Sequence, residues 1–140
     1  MYRALIPVGT DEDRALTQAE YVSSLPNASD VVEAYLLFVF GEESADLPEE
    51  FEQYKSVSRI GSVRRAEEYL EDAGIDVTVL EDSGDAADDI IVEAEEYDVD
   101  TIVIASRKRS PVGKAVFGSV TQSVILNSDR PVVVTGNQPE

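Results

Sequence analysis

The sequence predicts an α/β fold: one open five-stranded parallel sheet, in strand order 3-2-1-4-5, with helices on both faces. Short apolar runs alternate along the chain with longer segments whose apolar residues recur at helical spacing. The run Val31–Phe40 is almost continuously apolar, which is typical of a strand buried on both faces. Strands that alternate with helices form parallel sheets, and right-handed crossovers favour this order among the few that remain.

The element boundaries follow from turn and capping residues. Five strands are predicted, at Arg3–Val8, Val31–Phe40, Ile75–Leu80, Thr101–Ala105 and Pro131–Thr135. Four helices are predicted, from Thr10 to about Leu25, at Ser56–Ala73, from Asp85 to about Tyr97 and at Ser119–Asn127. Thr10 and Asp13 stand at capping-box spacing and should open the first helix, whose inward face is predicted to hold Ala15, Leu16, Ala19, Val22 and Leu25. The acidic stretch Gly41–Tyr54 is predicted to be a loop.

Composition narrows the class of protein. The 140 residues, 43% of them hydrophobic, predict one domain over 1–140, and the formal charge of −18 predicts adaptation to a salt-rich cytoplasm. Such a surface repels phosphate backbones, so nucleic acid is not an expected partner. The chain has no Cys and no His, which excludes ordinary zinc sites and histidine-dependent catalysis. Neither a signal peptide nor an apolar run of spanning length is visible, so we expect a cytoplasmic protein without membrane contact.

A phosphate-type anion site is predicted within Ile104–Ser119. Ligands of open α/β sheets bind at the carboxyl ends of the strands where the winding direction switches, here Val8-Gly9-Thr10 and Ala105 onward. Residues 101–128 contain no acidic residue but four basic ones: Arg107, Lys108, Arg109 and Lys114. The window then reaches Gly118-Ser119 at a predicted helix start, where backbone N–H groups favour an anion. Alternatively, Ser119 only caps this helix, with Gln122 completing a capping box.

The other motifs in the sequence give weaker evidence for a function. Gly113-Lys114 lacks the Ser/Thr and the upstream glycine of a P-loop, and no G-x-G-x-x-G is present. The triplet Asp11, Glu12 and Asp13 could bind a divalent cation, but at a helix start it more often complements the helix dipole. No metal ligand and no catalytic residue is therefore assigned.

Several segments resemble the universal stress protein family. The resemblance lies in the order of elements, the first strand Leu5-Ile6-Pro7-Val8, and the segments Phe117–Val124 and Arg130–Val134. It extends from Arg3 to Thr135, and it implies an adenine nucleotide alpha hydrolase-like, Rossmann-like fold and a role in stress response. It also implies binding of ATP or another adenine nucleotide, and homodimers that pair through their last strands. That strand is here Pro131, Val132, Val133 and Val134.

The resemblance also implies the ligand contacts. The expected nucleotide- or phosphate-binding residues are Pro7, Val8, Gly9, Val39, Ala105, Ser106, Arg107, Lys108, Gly118, Ser119 and Val120. Three of them depart from the pattern of nucleotide-binding members: Ala105 and Lys108 replace the two loop glycines, and Gly9 replaces an Asp that contacts adenine. Lys108 and Arg107 would then contact phosphate by charge instead of through backbone amides.

The sequence is consistent with three functions. The first is a non-enzymatic, dimeric stress-response protein that binds a nucleotide or another phosphorylated metabolite. The second is a slow ATP hydrolase that uses the same site, and the third is an interaction module that has lost ligand binding. The changes at Gly9, Ala105 and Lys108 favour the third more than they favour an enzyme.

Overall fold

Five parallel strands form one sheet in the order β3-β2-β1-β4-β5, as the sequence predicts. The computed structural model describes residues 1–9, 11–39, 61–80, 87–105 and 119–136. The strands are β1 Tyr2–Val8, β2 Val32–Phe38, β3 Asp76–Val79, β4 Thr101–Ala105 and β5 Val132–Thr135. The helices are α1 Glu12–Ser23, α2 Ala28–Val31, α3 Gly61–Asp72, α4 Ala87–Glu96 and α5 Ser119–Asn127. Within these ranges, no helix combines the length and the apolarity that crossing a bilayer requires.

Two apolar layers enclose the sheet because successive side chains of a strand point to opposite faces. Alternate residues of β1 divide in this way: Ala4, Ile6 and Val8 belong to one buried cluster and Leu5 to the other. The first cluster includes residues of α1 and α3, and the second includes residues of α4 and α5. Helices therefore cover both faces of the sheet.

The central strand β1 is paired very unequally on its two sides. Its parallel ladder with β2 contains seven consecutive residue pairs, along the whole strand. Within the described residues, its ladder with β4 contains two pairs, Ala4↔Thr101 and Leu5↔Ile102. The two strands at the switch of winding direction are thus joined near their amino ends only.

The start of α1 differs from the prediction. The cap is Asp11, whose Oδ1 accepts the backbone N–H of Arg14 at 3.0 Å, so a cap formed by Thr10 with Asp13 is wrong. Both Thr10 and Asp11 are good capping residues, and the sequence pattern did not separate them. Leu16 and Leu25, placed on the inward face, are only partly buried.

The sequence also left one short element undetected. Helix α2 precedes β2, which therefore begins at Val32 instead of Val31. The predicted loop Gly41–Tyr54 lies outside the described residues.

At the amino end of the sheet, Arg3 is hydrogen-bonded to the turn between α4 and β4. The backbone N–H of Arg3 donates to Asp100 Oδ2 at 2.8 Å, and the N–H of Asp100 donates back to the Arg3 carbonyl at 2.8 Å. The Arg3 guanidinium donates to the Tyr97 carbonyl at 2.9 Å and to Glu33 at 3.1 Å. The hydrogen bond that the Arg3 guanidinium donates to Glu33 raises the pKa of Arg3 above its ordinary value.

Candidate functional site

The predicted residues at the carboxyl ends of the central strands lie together where these strand ends meet, a region called the carboxyl edge below. Pro7 and Val8 close β1 and are buried, Gly9 follows them, and Ala105 closes β4 with partial exposure. Val39 continues this edge beside β1, since its N–H donates to the Val8 carbonyl at 2.8 Å. The structure therefore brings five of the predicted residues to the same edge.

Between β1 and β4, a side chain forms hydrogen bonds beyond the point where the backbone pairs end. Gln18 of α1 is 1% exposed, and its Nε2 donates to the Pro7 carbonyl at 2.7 Å and to the Val103 carbonyl at 3.0 Å. Each of these carbonyls lies beyond the last backbone pair, Leu5↔Ile102, in its own strand. One neutral amide group thus links the two strands where their backbones no longer pair.

The sequence-based prediction missed Gln18, although a signal was present. Ala15, Ala19 and Val22 form the buried stripe of α1. Gln18 stands at the i+3 position of that stripe, where a polar residue must find a buried partner. A polar residue at a core position of a helix that faces the switch point therefore indicates a buried hydrogen bond to the strands there.

On the α1 side of the edge, the acidic triplet has structural roles. Asp11 caps the helix, and Glu12 Oε1 lies 3.4 Å from Nη1 of Arg65 on α3. Nearby, the hydroxyl of the buried Ser62 donates to the Gly9 carbonyl at 2.5 Å. No group of three or more potential ligands in the described part of the chain could hold a metal ion. The capping bond of Asp11 places the triplet at the helix start, where acidic residues complement the helix dipole.

On the other side of the edge, α5 begins beside β4. The Thr121 hydroxyl lies 3.5 Å from the Ala105 carbonyl, at the limit of a hydrogen bond, and the partly buried Val120 packs on the second core cluster. The backbone of Ser119 opens this helix, as predicted. Ser106, Arg107, Lys108 and Gly118 lie outside the described residues, so their predicted contacts remain predictions.

The strand predicted to form a dimer, β5, is the outermost strand on one side of the sheet. Val132, Val133 and Val134 are each partly buried, and Pro131 just before them is exposed. The Pro131 carbonyl accepts the N–H of Ile102 at 3.0 Å, which ties the start of β5 to β4. No strand among the described residues pairs with the outer side of β5.

Taken together, the strand order and the interrupted β1–β4 ladder define an open α/β fold whose winding direction switches between β1 and β4. The family model for the universal stress protein family matches residues 1–136. The chain therefore belongs to the universal stress protein family, as the resemblance predicted.

Two curated relatives are similar over part of their length. A universal stress protein of Mycolicibacterium smegmatis is 34% identical over 77 residues, which are 54% of this chain and 59% of that protein. The stress response protein NhaX of Bacillus subtilis is 39% identical over 59 residues, 42% of this chain and 34% of its own length. The matched stretch thus spans less than two thirds of either relative.

Solved structures resemble the whole chain. A universal stress protein from Archaeoglobus fulgidus has a TM-score of 0.71 at 26% identity, over 96% of this chain and 98% of that one. A universal stress protein of the same organism in complex with dAMP has a TM-score of 0.67 at 22% identity, over 96% and 98%. A family protein from Arabidopsis thaliana with AMP bound has a TM-score of 0.65 at 15% identity, over 99% and 93%. The last two likenesses concern the fold.

Proposed function

We propose that this chain is a homodimeric stress-response protein that binds an adenine nucleotide, or another phosphate-bearing ligand, without dedicated catalysis. The ligand would lie at the carboxyl ends of β1 and β4, over Gly9 and Ala105. The observation that carries the proposal is the interruption of the β1–β4 ladder after two pairs, at the switch of winding direction.

The charges of the site favour one orientation of the ligand. Helix α1 starts at the β1 side with Asp11, Glu12 and Asp13, which would repel a phosphate group. The chain from 101 to 128 has no acidic residue and four basic ones, and α5 starts within it at Ser119. We therefore expect the phosphate near the start of α5 and the rest of the ligand toward Pro7, Val8 and Val39.

Relatives of the same fold support an adenine nucleotide as the ligand class, because two of the similar structures hold dAMP and AMP. The changes at Gly9, Ala105 and Lys108 point the other way. They are the specific observation in favour of an interaction module without a ligand, which is our second candidate function.

Titration calorimetry and thermal unfolding at molar salt separate the two candidates, with ATP, ADP, AMP and inorganic phosphate as probes. A ligand that binds the native state only, at about one hundred times its Kd, stabilises that state by about 2.7 kcal/mol. We expect this stabilisation with at least one adenine nucleotide and less with phosphate. If no probe gives heat or a rise in Tm, the interaction module is the better description.

The proposed lack of catalysis is checked on the same protein. ATP incubated with it should release phosphate no faster than in buffer. Release above that background, lost in Ser119→Ala, would identify a hydrolase instead. The Tm of Ser119→Ala is the fold control, since it shows whether the variant is folded at the assay temperature.

The dimer is proposed to form by pairing of the outer sides of two β5 strands. In the parallel register with β4, the Val133 N–H faces β4, so the Val134 N–H faces outward. Val134→Pro should therefore remove an outward donor and yield monomers in sedimentation at molar salt. Val133→Pro is the matched control, because it should instead destabilise the monomer by breaking its bond to β4. A wild-type monomer at molar salt would contradict the dimer.

A further inference from the structure

We propose that Gln18 is the positioning residue of the proposed ligand site: its amide group fixes the separation of β1 and β4 below the bound ligand. The inference rests on the proposed function, because it names the residue that shapes the same site. It concerns a buried side chain that would not itself touch the ligand.

The need for such a residue begins with Pro7. The Val8 carbonyl accepts from Val39, the residue after β2, so in this alternating backbone the N and C=O of Pro7 face β4. Proline has no N–H, and so Pro7 cannot donate to β4 and continue the ladder. Its buried carbonyl still requires a donor, and Gln18 Nε2 supplies one at 2.7 Å.

The same nitrogen satisfies the opposite strand. Its second hydrogen points to the Val103 carbonyl, at a distance of 3.0 Å. A primary amide carries two donors at a fixed angle, so the two acceptors are held at a defined distance from each other. A carboxylate has no donor, and an apolar side chain of similar size has none either, so neither could replace this bridge.

The neighbours of Gln18 on α1 allow it to reach between the strands. Ala15 and Ala19 flank it on the buried face and are both fully buried. Small residues at these two positions let the helix approach the sheet closely. The close packing leaves the amide few alternative rotamers, which makes the bridge rigid.

The bridge lies directly below the proposed ligand. The braced carbonyl of Pro7 comes two residues before Gly9, and that of Val103 comes two residues before Ala105. A ligand that spans Gly9 and Ala105 therefore rests on the two strands that Gln18 links. A change in their separation alters both contacts at once.

The test compares Gln18→Leu, which keeps the approximate size but has no donor, with Val22→Ala. Val22 is fully buried on the same helix and makes no polar contact with β4, so its truncation measures general destabilisation. With AMP as the probe, at temperatures where both variants are folded, we expect Kd to rise about tenfold in Gln18→Leu. In Val22→Ala we expect Kd to stay within about twofold of the wild type, since distant sites act independently.

A second measurement needs no ligand. The carbonyl ¹³C resonances of Pro7 and Val103, and the amide resonances of Gly9 and Ala105, should shift in Gln18→Leu and stay in place in Val22→Ala. If Gln18→Leu does not fold, Gln18→Asn takes its place: the amide is one carbon shorter and should lose one of the two bonds.

The outcomes separate the inference from the proposed function. Wild-type Kd and wild-type Gly9 and Ala105 resonances in a folded Gln18 variant would overturn the inference, as would equal weakening by Val22→Ala. If the wild type binds neither the nucleotides nor inorganic phosphate, the proposed function fails, and the resonances alone decide whether Gln18 sets the geometry of the two strands.

Discussion

The two ends of the sheet are held by different chemistry. At the amino end, Arg3 and Arg130 donate to backbone carbonyls of the α4–β4 turn and to the carboxylates of Glu33 on β2 and Asp98. At the carboxyl end, a single neutral amide, Gln18, joins β1 to β4. Charge-assisted bonds thus hold the amino end, whereas an uncharged bridge joins the strands at the end where we propose that an anion binds.

The chemistry of each end suits its surroundings. The arginine contacts are partly exposed, so the desolvation cost of the charges stays small. Gln18 is fully enclosed, where an unpaired charge would be far more costly than an amide. An arginine bridge is therefore suited to the amino end, and an amide to the interior below the proposed ligand site.

Removing salt should give the largest effect. The Debye length grows from about 3 Å at 1 M salt to about 30 Å at 0.01 M, so a net charge of −18 repels itself more strongly in dilute buffer. We expect a large fall in Tm on transfer from molar salt to dilute buffer. Full stability in dilute buffer would contradict the salt-adapted interpretation of the composition.

Hydrogen exchange during the same transfer tests the comparison directly. Attraction within the pairs at the amino end becomes stronger as screening falls, whereas repulsion among the other carboxylates grows. The amides of Arg3 and Asp100 should therefore stay protected after that of Val39, which donates to the Val8 carbonyl at the carboxyl end, begins to exchange. Simultaneous loss of protection at both ends would contradict the proposal that the two ends of the sheet are held by different interactions.

Removing Arg130 should give the next largest effect. Its Nε donates to the Val99 carbonyl at 2.8 Å, and its Nη2 to the exposed Asp98 at 3.1 Å. We expect Arg130→Ala to lower the free energy of unfolding by about 1–2 kcal/mol, mostly through the Val99 bond, in denaturant titrations.

Arg64→Ala is the matched control for that variant, since both remove one positive charge. Arg64 is largely exposed and lies 3.9 Å from Glu68, so its loss should cost less than about 0.5 kcal/mol. Neither variant should change the Kd for AMP. A weaker Kd in Arg130→Ala alone would mean that the two ends are coupled.

The sequence predicted the fold well because the fold depends on patterns that are local. Apolar runs and helical spacing fix the elements, and chain connectivity then limits their order. The bridging role of Gln18 could not be predicted, because it depends on where α1 lies over two strands that are distant in sequence. The position of Ala105 beside α5 followed from topology, whereas the choice between Thr10 and Asp11 as the cap required coordinates.

Lys108 offers a smaller test of how the carboxyl end attracts its ligand. If its charge contacts the phosphate, Lys108→Gly should weaken AMP binding about fivefold in calorimetry at molar salt, although it restores the glycine of nucleotide-binding relatives. Arg64→Ala again controls for the change in net charge. Tighter binding by Lys108→Gly would indicate that backbone amides hold the phosphate and that charge at this position is unfavourable.

The smallest effect is expected in the middle of α3, where no end of the sheet is involved. Burial, reinforced by Glu71 and Glu68, raises the pKa of Glu67 above its ordinary 4.5, while Arg64 opposes the shift. The native state therefore binds the proton more tightly than the unfolded chain does, and stability falls as the pH rises from 4.5 through the higher native pKa.

Because the carboxylate is mostly solvated, Glu67→Gln should raise the free energy of unfolding at pH 7 by only about 0.3 kcal/mol, and this gain should vanish below pH 4.5. Glu68→Gln is the matched control: it removes the same charge one position further along but also loses the pair with Arg64, so we expect no gain. Equal gains in both variants would mean that the net charge alone sets stability. In that case the local pairing that distinguishes the two ends of the sheet would matter less than the total.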